Sequence, residues 1–185
     1  MSMERELAKN KPAELLAYQV MKTIYEDKVD LRYVADVPKF YHRGDIVGRR
    51  HEDGEITFFD VKNDGEISRT GNIFAETHKY FNNNRKERHS GFMENGEYDY
   101  LLIVNQKDKQ IYVVDFEVLK EIHKLYREVP SYHDDALCYG RIVPLERAKA
   151  RGALLYTIDY DGVKGGYYYT KVTPEQENCE LRLLS

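Results

Sequence analysis

Tryptophan is missing from this chain altogether, and only two cysteines stand among its 185 residues. Cys138 and Cys179 lie far apart with no CxxC spacing, which excludes a disulfide framework or a paired-cysteine zinc site and suits a reducing cytoplasm. No apolar run approaches the roughly 20 residues that a membrane helix requires, so no membrane partner is expected. The amino end, MSMERELAKNKP, lacks the apolar stretch of a signal peptide. No repeat, low-complexity tract or Pro/Gly-rich linker divides the sequence. Residues 1–185 therefore read as one domain with a sizeable core.

Positive charge is not in excess either. The net charge of −4 argues mildly against a polyanionic partner, which needs Lys and Arg to bind its backbone. Net charge is an average, however, and basic clusters do occur: Arg49-Arg50, the segment 79–88 (KYFNNNRKER), and Arg147, Lys149 and Arg151. Taken singly, each also reads as an ordinary solvated face. Aromatics are plentiful in one form, with sixteen tyrosines.

Residues 12–27 read as a helix. Ala13, Leu16, Ala17, Val20 and Ile24 recur at helical spacing, and Pro12 suits a first turn. Extended segments are expected at 45–50, 56–62 and 72–77, the first two joined across Asp53-Gly54, a strong hairpin signal. A second hairpin pairs 100–104 with 110–116, followed by a short amphipathic helix carrying Val118, Ile122 and Leu125. Residues 145–150 read as helix or loop, and strands at 153–159 and 166–172 turn at Asp161-Gly162. Helices alternating with strands in this way predict an α/β fold, a central mixed β-sheet flanked by helices.

The informative passage is Gly44-Asp45 followed by Asp60-Val61-Lys62. Side chains alternate along a strand, so Asp60 and Lys62 project from one face while Phe59 and Val61 anchor the other. A two-residue turn at Asp53-Gly54 sets Asp45 opposite Lys62 and Val47 opposite Asp60, so that Asp45, Asp60 and Lys62 converge within ~5–8 Å. Two carboxylates and an ammonium on one patch suit metal-assisted phosphodiester hydrolysis, because hard oxygen ligands hold Mg²⁺ and leave positions for water and phosphate. A surface cross-strand salt bridge would use the same residues.

Asp45…Asp60-Val61-Lys62 resembles the PD-(D/E)XK nuclease superfamily, in which an acid and a D/E-x-K tripeptide occupy adjacent strands. The preceding helix, the Thr70-Gly71-Asn72 segment and the hairpin and helix after Ser90-Gly91-Phe92 are similar to small, often phage-associated members. The likeness covers about 12–126, leaving 127–185 as a C-terminal extension. Gly44 stands where the family pattern writes proline. The resemblance implies a restriction-endonuclease-like core and a Mg²⁺-dependent DNA endonuclease in which Mn²⁺ can substitute. Asp45 and Asp60 would be metal ligands together with the Val61 carbonyl, and Lys62 the base or water-positioning residue. Glu14 would be a further acid on the helix, its rival role being a first-turn glutamate favoured by the helix dipole. Glu76 would reach the metal through water or form a salt bridge. Arg69, Thr70, Lys79, Arg85, Lys86 and Arg88 are the residues expected to contact DNA, and homodimer assembly is left open.

Two other readings remain: a nucleic-acid-binding module that does not cut, and a structural or interaction protein whose hairpin charges are incidental. His133-Asp134-Asp135, His42 and His51 read as loop residues, and Tyr167-Tyr168-Tyr169 as alternating burial in a tail strand. No phosphate-cradling Gly-rich loop or Ser/His/Asp triad is present.

Overall fold

The computed structural model describes residues 3–25, 27–40, 42–81, 87–133, 136–164 and 167–175. These form helices α1 (Met3–Ile24), α2 (Ile67–Thr70), α3 (Phe92–Asn95), α4 (Phe116–His123) and α5 (Leu145–Ala150). The strands are β1 (Val29–Tyr33), β2 (Ile46–Arg50), β3 (Ile56–Asn63), β4 (Asn72–Phe81), β5 (His89–Ser90), β6 (Tyr100–Asn105), β7 (Gln110–Asp115), β8 (Glu128–His133), β9 (Ala136–Pro144), β10 (Leu154–Lys164) and β11 (Tyr167–Pro174). Seven strands make one sheet in the order β1-β2-β3-β6-β7-β10-β11, and four make a second in the order β5-β4-β9-β8. The larger sheet is mixed: β3 and β6 run parallel, and its other neighbours antiparallel. The fold is α/β, as expected. No helix among the described residues is long and apolar enough to cross a membrane.

Both faces of the larger sheet are covered, which explains why β6 reads as an unbroken apolar run rather than an alternation. On one face α1 lays Ala13, Ala17, Val20 and Met21 against Phe59, Val61, Leu102, Val104 and Val113. On the other, Leu101, Ile103 and Val114 pack with Ile73, Ala75 and Val143 of the smaller sheet and with Leu119 and Ile122 of α4. The stripe of small residues on α1 lets the helix lie close to the strands. The helix begins well before residue 12 and carries Pro12 inside it instead of in its first turn. A proline there removes one backbone hydrogen bond without stopping the helix.

Three expectations about connection need correction. The β2–β3 hairpin pairs Ile46 with Phe59 and Arg49 with Ile56, so its loop is two residues longer than a tight Asp53-Gly54 turn. Gly54 donates to the Arg50 carbonyl at 3.0 Å, and Gly54 takes φ of +74°. The segment expected to run from 72 to 77 continues to Phe81 and belongs to the smaller sheet, not beside β3. The final hairpin continues through Asp161-Gly162 to Lys164, with a register irregularity between Tyr160 and Val163.

The tail is no appendage. β10 pairs with β7 inside the larger sheet, and β9 pairs with β4 over the length of that strand. Tyr156 and Ile158 of β10 are buried against the α1 layer. A chain ending at residue 126 would bare the β7 edge and leave β4 without β9. We expect that fragment to show no cooperative thermal transition and no near-ultraviolet circular dichroism, where the whole chain shows both.

Candidate active site

The backbone at Gly44 decides where the site forms. Gly44 adopts φ of +104°, and a Cβ there would lie 2.3 Å from the Phe59 carbonyl oxygen. Only glycine allows so close an approach to β3 in that conformation. This is the position where the family pattern writes proline, whose φ near −65° is incompatible with it. Immediately after it, the Asp45 amide donates to the Phe59 carbonyl at 2.8 Å, and the Asp45 carbonyl accepts from Val34 at 2.8 Å. That carbonyl lies on the β1 side, where the alternation of the β1–β2 ladder puts it, and the β2–β3 ladder stops at Ile46, leaving the Asp45 side chain to serve Val61. Asp45 Oδ2 accepts from the Val61 amide at 2.8 Å.

Continuing the observed register sets Asp45 beside Asp60, not Lys62. The two-residue difference preserves the parity of the strand, so the expected face is retained. Phe59 and Val61 are buried towards α1, while Asp60 and Lys62 point the other way. Lys62 Nζ lies 2.7 Å from Asp60 Oδ2 and 5.6 Å from the Phe92 ring centre. That ammonium pairs with the buried Asp60 carboxylate. The N–H and C=O of a strand residue point to the same side, so the Val61 carbonyl is directed to the side where Asp45 sits.

Glu14 is buried on α1 and accepts from the Tyr33 hydroxyl at 2.6 Å. Burial raises the Glu14 carboxyl above its usual value, and the Tyr33 hydrogen bond works against that rise. Asp45 is pushed up to about 7, first by burial and then by the charge of Asp60, with Lys62 pulling the other way and Glu14 adding to the rise. Burial would lower the Lys62 ammonium, but Asp60 and Asp45 together hold it above its ordinary value. The four residues therefore form one electrostatic unit.

Glu76 is on the smaller sheet, 3.9 Å from Lys79. Together with Lys62, Thr70, Lys79 and Phe92 it lines a cleft of about 650 Å³ between the two sheets. Of Thr70-Gly71-Asn72 only Asn72 is in a strand, where it begins β4: Gly71, at φ +64°, ends α2, and Asn72 donates to the Thr70 carbonyl at 2.7 Å. Arg69 is paired with Glu66, and Arg88 with Glu94, outside the cleft lining. Arg85 and Lys86 fall outside the described residues, as do Asp134 and Asp135. His51 contacts the Asp27 carbonyl at 3.1 Å, a loop contact as expected.

Two residues of the site escape a reading of the strand pattern. Tyr33 ends an edge strand whose alternation, Val29 and Leu31 in, Asp30 and Arg32 out, was a usable signal. Tyr98 stands in a polar stretch before β6 and gave none. Its hydroxyl is buried without a directed partner, and burial followed by the neighbouring charges of Asp60 and Asp45 raises it well above its ordinary value.

A divalent cation is testable against these residues. Among the described residues no three His, Cys, Asp or Glu side chains are gathered in ligating positions. Asp45, Asp60 and the Val61 carbonyl nonetheless offer hard oxygens of the kind Mg²⁺ takes, with water completing its shell. The buried Asp60 carboxylate and the Asp45 carboxyl that its charge helps to elevate are the groups a cation would satisfy, and the set fits on that ground. No family model, curated protein or solved structure matches this chain.

Two measurements check this geometry. Gly44→Ala should cost about 1–3 kcal/mol in denaturant melts, since alanine meets both the strained φ and the Phe59 carbonyl. The pH dependence has a definite sign. The Asp45 carboxyl binds its proton more tightly folded than unfolded, so its contribution is fully present below pH ~4 and is lost as pH rises to about 7. Asp45→Asn should leave stability unchanged near pH 4 and raise it by on the order of 1–3 kcal/mol at pH 8. Equal effects at both pH values would show that Asp45 is not elevated.

Proposed function

We propose that this chain is a divalent-metal-dependent nuclease of the PD-(D/E)XK kind that hydrolyses DNA phosphodiester bonds in the cytoplasm. The observation that carries the reading is the convergence of Asp45, Asp60 and Lys62 on one face of the β2–β3 hairpin, beside an open cleft. Asp60 is a buried carboxylate whose like charge raises neighbouring Asp45, a repulsion that a cation between them would relieve, and this supports a ligand role for Asp60.

Asp45, Asp60 and the Val61 carbonyl would hold the ion, with Mg²⁺ preferred and Mn²⁺ a substitute. When bound, the cation polarises a phosphoryl oxygen and lowers the pKa of water. The chain's own residues do the remainder. Asp45 is fastened to the Val61 amide, so its second oxygen is held in place relative to Asp60. Lys62, kept charged by Asp60 and Asp45, is suited to orienting a water and offsetting charge on the phosphate, more than to accepting a proton. Glu14, braced by Tyr33, completes the acidic side.

A second reading has one observation on its side. The Lys62–Asp60 ion pair is already made, as it would be in a binding module that holds nucleic acid without cutting it. Incubation with plasmid, linear and branched DNA in Mg²⁺ and in Mn²⁺ separates the two. We expect cleavage that needs the cation, falls at least ~100-fold in Lys62→Ala, and disappears with metal binding in Asp60→Asn. Cation-independent cutting, or a Lys62→Ala variant at the wild-type rate, would sink the nuclease reading.

A further inference from the structure

The cleft beside Lys62 is lined unlike a phosphate track. Its charges are of both signs, Lys62 and Lys79 beside Asp64, Glu66 and Glu76, with Glu66 paired to Arg69, so it offers no run of positive charge to successive phosphates. Its remaining surface is aromatic, aliphatic and neutral polar. Phe92 stands under Lys62 on one side. On the other wall, Phe74 pairs with Ile142 across β4 and β9, and Ile142 is 44% exposed. The Phe74 ring fills the space over Gly140, where a Cβ would come within 2.7 Å of it. Asn72 and Ser131 add amide and hydroxyl groups to the same wall. At about 650 Å³ the cleft is of the size that holds a small organic molecule, and it is far too small for a stretch of duplex.

A neutral, planar heterocycle with hydrogen-bonding edges matches this lining, and the sugar-phosphate backbone would stay outside it. Resting on the nuclease reading, we propose that the cleft beside Lys62, lined by the face of the smaller sheet that carries Phe74 and Ile142, is a pocket for one unpaired nucleobase next to the scissile phosphate, stacked on Phe74. The protein would therefore act where a base is already out of the stack, at a bulge, gap or frayed end, since extruding a paired base costs a few kcal/mol and an unpaired one does not carry that cost. Lys62 and Lys79 at the cleft would meet the single phosphate that joins this base to its neighbour.

The test uses the full wild-type chain with divalent cations chelated, a condition in which the nuclease reading allows binding without cutting. Two fluorescein-labelled duplexes are compared by anisotropy, one fully paired and one carrying a single unpaired nucleotide. The bulged duplex should bind about tenfold tighter or more, the range that base–aromatic stacking supplies. Because the contact is to a neutral base, the ratio of the two affinities should be the same at low and high salt although each affinity falls. Phe74→Ala should bring the ratio close to 1, and Phe74→Leu, which keeps apolar bulk but loses the ring, should lower it part of the way. Equal binding of the two duplexes, or a ratio that survives both substitutions, overturns the pocket. If the wild-type chain cuts both duplexes while binding them equally, the nuclease reading stands and the base pocket falls. A bulge preference in a chain that cuts nothing preserves the pocket and removes the nuclease. No binding to either duplex overturns the pocket.

Discussion

The hydrogen bond from the Val61 amide to Asp45 Oδ2 sits at the point where two strands part company. The β2–β3 ladder ends at Ile46, while the Asp45 carbonyl continues the ladder with β1 by accepting from Val34 and is not directed at β3. Without a substitute acceptor, the Val61 amide would be an unpaired buried donor, at a cost of about 1–3 kcal/mol. The side chain of Asp45 supplies the missing acceptor, so one carboxylate closes the sheet and faces the site at once. Gly44 makes this possible by letting the chain turn away while touching β3.

Everything acidic in the site is arranged around that closure. Asp60 is the next residue of β3, Glu14 reaches in from α1, and both raise the Asp45 carboxyl. Lys62 offsets part of this repulsion, and its aliphatic stem and ammonium rest near the Phe92 ring. The cluster is therefore held under tension by burial and like charge, with a single cation of the chain to balance it. Sites that concentrate perturbed groups in this way are found where chemistry is done, and in structural ion-pair networks as well.

The site's face was legible in the sequence because strand parity survives an error of two in register: the loop was read too short, yet Asp60 and Lys62 still lie where alternation puts them. The helix α1 was legible from its periodicity and β6 and β7 from their apolar runs, whereas α4 was placed but its face misread, since Leu125 lies beyond it and is exposed while Phe116 and Leu119 are buried. The smaller sheet was not. β8 and β9 carry Pro130, Gly140 and Arg141, which blur alternation, and β4 looks like a neighbour of β3 only because it follows it in the chain. Strand pairing across such distances leaves no local mark. Tyr98 is invisible for a related reason, since its place beside Asp60 depends on how β6 docks on β3.

β3 and β6 run parallel, so the chain between them must cross over, and β4 is made within that crossover. Its partner β9 comes much later, with Asn72 meeting Pro144 and Phe81 meeting Ala136. The β2–β3 hairpin, by contrast, closes over the few residues between Arg50 and Ile56. Loop-closure entropy and topology both favour the short closure first. The acidic centre and the wall that faces it thus belong to different stages of assembly. A chain still emerging from the ribosome would display Asp45, Asp60 and Lys62 on a bare hairpin before β9 exists, and the wall beside them would be completed only when synthesis has passed residue 144.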